Sequence, residues 1–360
     1  MNGVPFASTG VVALGVSTPF VYWGFELVRD IVEAIAGRTV WLHIASLEQL
    51  REGFLRRDSA SVVVTCDLPD PDFAEFVCAS GLPLIVFSDD PEAFLDWAMR
   101  SRSMGAVEAA RFCTRMYSAL APNLRAERKL VVAARDDATP ERIAADVIEF
   151  LWPGRGEWLV HGVVQHLVEA GKLTREWPRK LHDRSEWPDR LEGAAPDAES
   201  WRTLCAAVAS YVGLTEGQWP QQIVWPLALF HRPDGRPWRA PIDLTGPARV
   251  VLYGPYLHLP VGQWTARVEF EIDGAVSGVE ASTDVVVNEV VTEKTFEMPA
   301  KGIFAYELSF RVENPHQWVE IRLFIKKSAI EGVFLPRSVG VRPAPRETVE
   351  PARQLSSAPP

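Results

Sequence analysis

At 360 residues the chain exceeds what one hydrophobic core usually organises, so at least two folding units are expected. Hydrophobic residues at 47% and charged residues at 23% are ordinary globular usage, which excludes wholesale disorder and a bundle of membrane spans. A net charge of −10 repels polyanions and excludes nucleic acid as a partner.

The densest basic stretch, residues 175–190, does not alter this, because Glu176, Asp183, Glu186 and Asp189 dilute it into a solvated surface. Cys66, Cys78, Cys113 and Cys205 show no CxxC spacing and read as buried thiols in a reducing compartment. The first fifteen residues lack a positive n-region, and the apolar run 10–16 leads directly into a strand-then-helix pattern. Neither a signal peptide nor membrane insertion is expected, and the cytoplasm is the expected location.

Four apolar runs, residues 11–16, 39–44, 61–65 and 82–87, alternate with helical patterns, which predicts a parallel sheet wrapped by helices. Ser46 with Gln49 forms a capping box. Asp70-Pro71, Asp90-Pro91 and Thr139-Pro140 each pair a capping oxygen with proline at the first helical position. Helix starts are therefore predicted near 47, 71, 91 and 140, with one helical pattern running from 91 to about 120.

Trp152-Pro153-Gly154 stops the helix 140–151. Residues 152–225 hold seven tryptophans broken by Pro178, Pro188, Pro196 and Pro220, and predict two helices, 157–170 and 199–212, joined irregularly. These tryptophans are expected to pack a small core between two larger units.

After Pro226 the pattern changes to strands at 248–253, 262–272, 283–291, 302–312, 318–326 and 333–341. With no helix between them they predict a β-sandwich of jelly-roll type. The proline-rich stretch 343–360 is expected to be disordered. The domain reading is thus an α/β unit at 1–151, a tryptophan-rich helical connector at 152–225, a β-sandwich at 226–342 and a tail.

Ligands of open parallel sheets bind beyond the carboxyl ends of the strands. There the sequence offers Ser17, Thr18, Ser46, Asp67 and Asp89 as ligand-binding candidates. The first loop has neither the glycine spacing nor the cation of a phosphate-binding loop, and G-x-G-x-x-G and G-x-S-x-G are absent. Asp67, Asp89 and Asp90 are assigned structural roles rather than Mg²⁺, and no metal or cofactor is expected.

The run Leu84-Ile85-Val86-Phe87-Ser88-Asp89-Asp90-Pro91-Glu92-Ala93 resembles the fourth-strand region of sulfotransferase-like P-loop proteins. Asp89 stands where that family has an arginine, so the resemblance implies a degenerate fold relative without its phosphate site.

Residues 252–267, in which a strand, a turn at Gly254-Pro255 and a second turn at Pro260-Val261-Gly262-Gln263-Trp264 lead into a long alternating strand, resemble carbohydrate-binding-like sandwiches attached to bacterial surface-polysaccharide enzymes. Such modules stack flat rings on sugars, which makes Trp238, Tyr256 and Trp318 the glycan-binding candidates.

Trp264 shares its alternating face with Ala266, Val268 and Phe270 and is expected in the core. Trp318 shares its face with Glu320 and Arg322 and is expected to be the more exposed.

The combined reading is an accessory protein of bacterial cell-surface polysaccharide assembly, non-enzymatic or weakly enzymatic, with a carbohydrate or protein partner at the sandwich. The alternatives are an active sulfo- or glycosyl-type transferase with its donor at the strand ends, and a structural interaction protein. The sequence specifies no oligomeric state.

Overall fold

The computed structural model describes residues 10–55, 61–134, 139–173, 197–238 and 240–344. The predicted tail and the irregular part of the connector lie outside the described residues.

Five parallel strands form the first sheet: β1 (Gly10–Gly15), β2 (Thr39–His43), β3 (Ser61–Cys66), β4 (Leu84–Ser88) and β5 (Lys129–Ala133). Their order is β2-β3-β1-β4-β5. β1, β3 and β4 are buried almost throughout, as continuous apolar runs must be when helices cover both faces.

The connecting helices are α1 (Pro19–Ala36), α2 (Leu47–Leu55), α3 (Pro71–Ser80), α4 (Pro91–Arg102), α5 (Ala106–Leu120) and α6 (Pro140–Leu151). Two further helices, α7 (Glu157–Glu169) and α8 (Ala198–Ala209), follow in the connector, where α7 packs on α6 and α1, and α8 on α4 and α5.

The helix starts stand where the capping residues place them. Asp70 Oδ1 accepts from Phe73 N at 2.6 Å, and Asp90 Oδ1 from Glu92 N and Ala93 N at 2.8 and 3.2 Å. Thr139 Oγ1 accepts from Arg142 N at 3.2 Å, and Ser46 and Gln49 exchange side chain-to-backbone bonds at 3.2 and 3.3 Å.

Three expectations are corrected. The pattern from 91 to 120 is two helices, α4 and α5, because Ser103 takes the left-handed conformation (φ 55°) and ends α4. A fifth strand, β5, completes the sheet. The run expected as one strand at 283–291 is a hairpin of β10 (Glu280–Val287) and β11 (Glu289–Glu297), turned at Asn288, whose φ of 66° suits asparagine.

The sandwich layers are β11-β10-β13-β8 and β12-β9-β14-β6, with β7 (Ile242–Asp243) beside β14. Here β6 is Ile223–Trp225, β8 Arg249–His258, β9 Gly262–Asp273, β12 Gly302–Val312, β13 Trp318–Ile325 and β14 Val333–Pro343. Between the layers lie Trp264, Phe270, Tyr306, Phe310, Ile321 and Leu323. Thr283 Oγ1 meets Tyr306 Oη there at 2.7 Å. The connector tryptophans in the described residues divide: Trp152 and Trp225 are buried and Trp219 stacks on Trp264 at 6.5 Å, whereas Trp158 is exposed.

The α/β unit and the sandwich meet along α5 and β8. His258 N donates to Thr114 Oγ1 at 3.3 Å, and the Tyr211 hydroxyl bonds the His258 carbonyl. Next to His258, His316 Nε2 donates to the Pro69 carbonyl at 3.0 Å. This seam positions the site described next.

Candidate functional site

Helix α5 has two faces. Ala109, Ala110, Cys113, Met116, Tyr117 and Leu120 are buried, whereas Glu108, Arg111, Phe112 and Arg115, spaced i, i+3, i+4 and i+7, form a second stripe. With Met104, that stripe is one wall of a cleft of about 630 Å³ whose other wall is Tyr256, His258, His316 and Trp318 of the sandwich. The cleft therefore lies on the seam between the two units.

The sandwich wall depends on a β-bulge. In the β8–β13 ladder Val319 pairs with Leu257 but Glu320 pairs with Pro255, so Tyr256 is the extra residue. It adopts φ 64°, uncommon for a bulky side chain, and such bulges re-aim a side chain. The re-aimed ring meets Trp318 edge-on, with centroids 6.3 Å apart at 77°, and its hydroxyl donates to Glu320 at 2.7 Å. Burial first, and Glu320 next, push the Tyr256 phenol well above its ordinary value, so it stays protonated.

Trp318 is 53% exposed, while Trp264 is fully buried with Nε1 donating to the Pro260 carbonyl at 2.8 Å. The alternation argument assigned both rings to these faces. Beside them, Arg322 and Asp284 make a two-pronged ion pair at 2.9 and 2.6 Å, which fixes the sheet face under the aromatic corner.

Arg111 lies over the Tyr256 ring at 4.8 Å, and its buried Nε has no hydrogen-bond partner; burial lowers its pKa. Arg115 donates through Nε to His316 Nδ1 at 3.4 Å. Burial, then the Arg115 charge, push His258 down to about 3 and lower His316 as well, so both imidazoles are neutral at pH 7.

Of the glycan candidates, Tyr256 and Trp318 are brought together, and Trp238 is not: it packs half-buried against the core, with its backbone N–H bonded to Phe230. The sequence reading missed Arg111, Phe112, Arg115, His258 and His316. The i, i+3, i+4, i+7 stripe on α5 was the available signal for the helical wall.

At the strand ends, Ser17 and Asp67 do converge. Asp67 Oδ2 accepts from Ser17 Oγ at 2.6 Å and from Tyr22 Oη at 2.7 Å, and His43 Nε2 lies 3.9 Å from Oδ1. Burial, then the bond to Asp67, raise the Tyr22 pKa. Of the other three candidates, Thr18 caps α1 through Val21 N, Ser46 caps α2, and Asp89 accepts from Asp90 N through Oδ1 at 2.9 Å and from the Tyr117 hydroxyl through its carbonyl. Among the described residues no helix is long and apolar enough to cross a membrane.

No family model and no curated protein matches the chain. Solved structures overlap it in part. The carbohydrate-binding module TmCBM61, in complex with beta-1,4-galactotriose, is 12% identical, covering 28% of this chain and 67% of its own at a TM-score of 0.22. A family 16 carbohydrate-binding module is 11% identical over 31% of this chain and 82% of its own, TM-score 0.22. The C-terminal CBM6 of LamC from Zobellia galactanivorans is 12% identical over 31% and 84%, TM-score 0.20.

Proposed function

We propose that this chain is a glycan-binding accessory protein of bacterial surface-polysaccharide assembly, and that the α5–sandwich cleft holds the sugar. The observation that carries this reading is the corner made by Trp318 and Tyr256. A large, half-exposed indole set edge-on to a phenol whose hydroxyl is already spent on Glu320 offers an apolar platform with a polar rim. Sugar rings have that character, with flat C–H faces and hydroxyl edges. The assignment to polysaccharide assembly draws on the resemblance of residues 252–267.

Calorimetric titration of the full chain against a panel of oligosaccharides tests the reading. Binding that Trp318→Ala weakens at least tenfold, with an unchanged melting temperature, supports it. A panel in which no sugar binds removes it and favours a surface for protein partners.

A transferase with its donor at the strand ends is the second reading, favoured by the Ser17–Asp67–Tyr22 cluster with His43 beside it. Turnover of a sugar nucleotide or sulfonate donor that is lost in Asp67→Asn would establish it.

A further inference from the structure

The charge of the cleft identifies a class of glycan, an inference that rests on the glycan-binding reading above. Arg111 and Arg115 stand one helical turn apart on α5, both half-buried, and neither forms an ion pair among the described residues. Other arginines of this chain are matched: Arg100 with Asp96, Arg322 with Asp284, Arg337 with Glu271.

The carboxylates around the cleft do not neutralise the two guanidinium groups. Glu108 is exposed and makes no ion pair with either, Glu320 is held by the Tyr256 hydroxyl, and Asp284 is held by Arg322. The nearby imidazoles are neutral. What remains are two partly desolvated cations facing an aromatic corner, one of them with a buried N–H that bonds to nothing. Removing a guanidinium from water without a counter-charge is unfavourable, and its fork of donors fits an oxyanion with two parallel bonds.

We infer that the cleft selects an acidic glycan, with a sugar ring packed on Trp318 and Tyr256 and its carboxylate or sulfate group received by Arg111 and Arg115. Carboxylate and sulfate share this chemistry.

The test is calorimetric titration of the full chain with three probes of equal length: trigalacturonic acid, its fully methyl-esterified form, and a sulfated galactan trisaccharide. The acid and the ester differ in charge and hardly in shape.

Binding of the acid or the sulfated sugar at least about tenfold tighter than the ester is expected, a ratio corresponding to about 1.4 kcal/mol. Arg111→Gln should erase most of that ratio, and Arg111→Lys, which keeps the charge but loses the fork, should retain only part of it, with melting temperature as the folding control. The tighter of the two charged probes identifies the group.

Equal affinity for acid and ester, with Trp318→Ala weakening both, overturns the acidic class and leaves the glycan reading standing. A preference that survives both Arg111→Gln and Arg115→Gln overturns the role of these arginines. No binding by any probe overturns both readings.

Discussion

His316 of the sandwich donates its Nε2–H to the carbonyl oxygen of Pro69, at the end of the loop after β3, across 3.0 Å. Its Nδ1 meanwhile accepts from Arg115, so the ring is held neutral with both nitrogens engaged. A second proton would set Nδ1–H against the arginine. His258 is buried beside it, and burial first, then the Arg115 charge, oppose its protonation.

These two histidines make stability depend on pH in a definite direction. Their folded pKa values lie below the ordinary histidine value near 6.5, so an unfolded chain takes up protons that the folded chain refuses. Their contribution should be level above about pH 7 and fall as pH drops through 6.5 toward about 3, the folded value of His258. The limiting slope is roughly 1.4 kcal/mol per pH unit for each proton. Urea midpoints between pH 7.5 and 5.5 measure it, and His258→Gln should flatten the slope whatever it does to stability itself. An unchanged slope in that variant would remove His258 from the account.

The two sandwich tryptophans should separate stability from binding. Trp264→Ala empties a fully buried site and loses the bond to Pro260, which should cost about 3–5 kcal/mol. Trp318→Ala should leave the denaturation midpoint nearly unchanged. The reverse ranking would mean that the face assignment of one strand is wrong.

Asp90→Ala removes an acceptor from two amides at the start of α4 and should lower stability by about 1 kcal/mol. Asp90→Asn or Asp90→Ser should restore most of it, since each also supplies a capping oxygen. Denaturation curves of the three variants decide the point.

Gly24→Ala should destabilise although alanine is the better helix former. A Cβ at this position in α1 would lie 2.5 Å from the Phe87 ring of β4, so the gain of up to about 1 kcal/mol in propensity is outweighed by roughly 1–3 kcal/mol of overpacking. A raised melting temperature would show that Phe87 can yield.

What was legible in the sequence is what local chemistry decides. Asp70, Asp90, Thr139 and Ser46 carry their own capping oxygens, so those helix starts are readable. Trp264 and Trp318 follow from period-two alternation.

The misreadings arose where a non-glycine residue at positive φ bends the chain: Ser103 between α4 and α5, where Gly105 caps the second helix and was passed over, and Asn288 between β10 and β11. β5 was overlooked although it is as long as β2 and no less buried. The cleft was illegible for a different reason. Its walls come from distant parts of the chain, and the bulge that brings Tyr256 to Trp318 exists only as a mismatch between two strand registers.

Neither half of the chain owns that surface. His258 and Thr114, which join the walls, are separated by 144 positions. An elongating polypeptide therefore presents no complete pocket until β13 has been made and has folded back onto a much earlier helix. Occupancy then reports that the chain has been made through β13 and that the two walls have docked. A sugar bridging the walls would also act as a reversible cross-link, tying the melting of the sheet wrapped by helices to that of the sandwich. Glycan arrays probed with the excised sandwich would meet only Tyr256, His258, His316 and Trp318, without the arginines that face them.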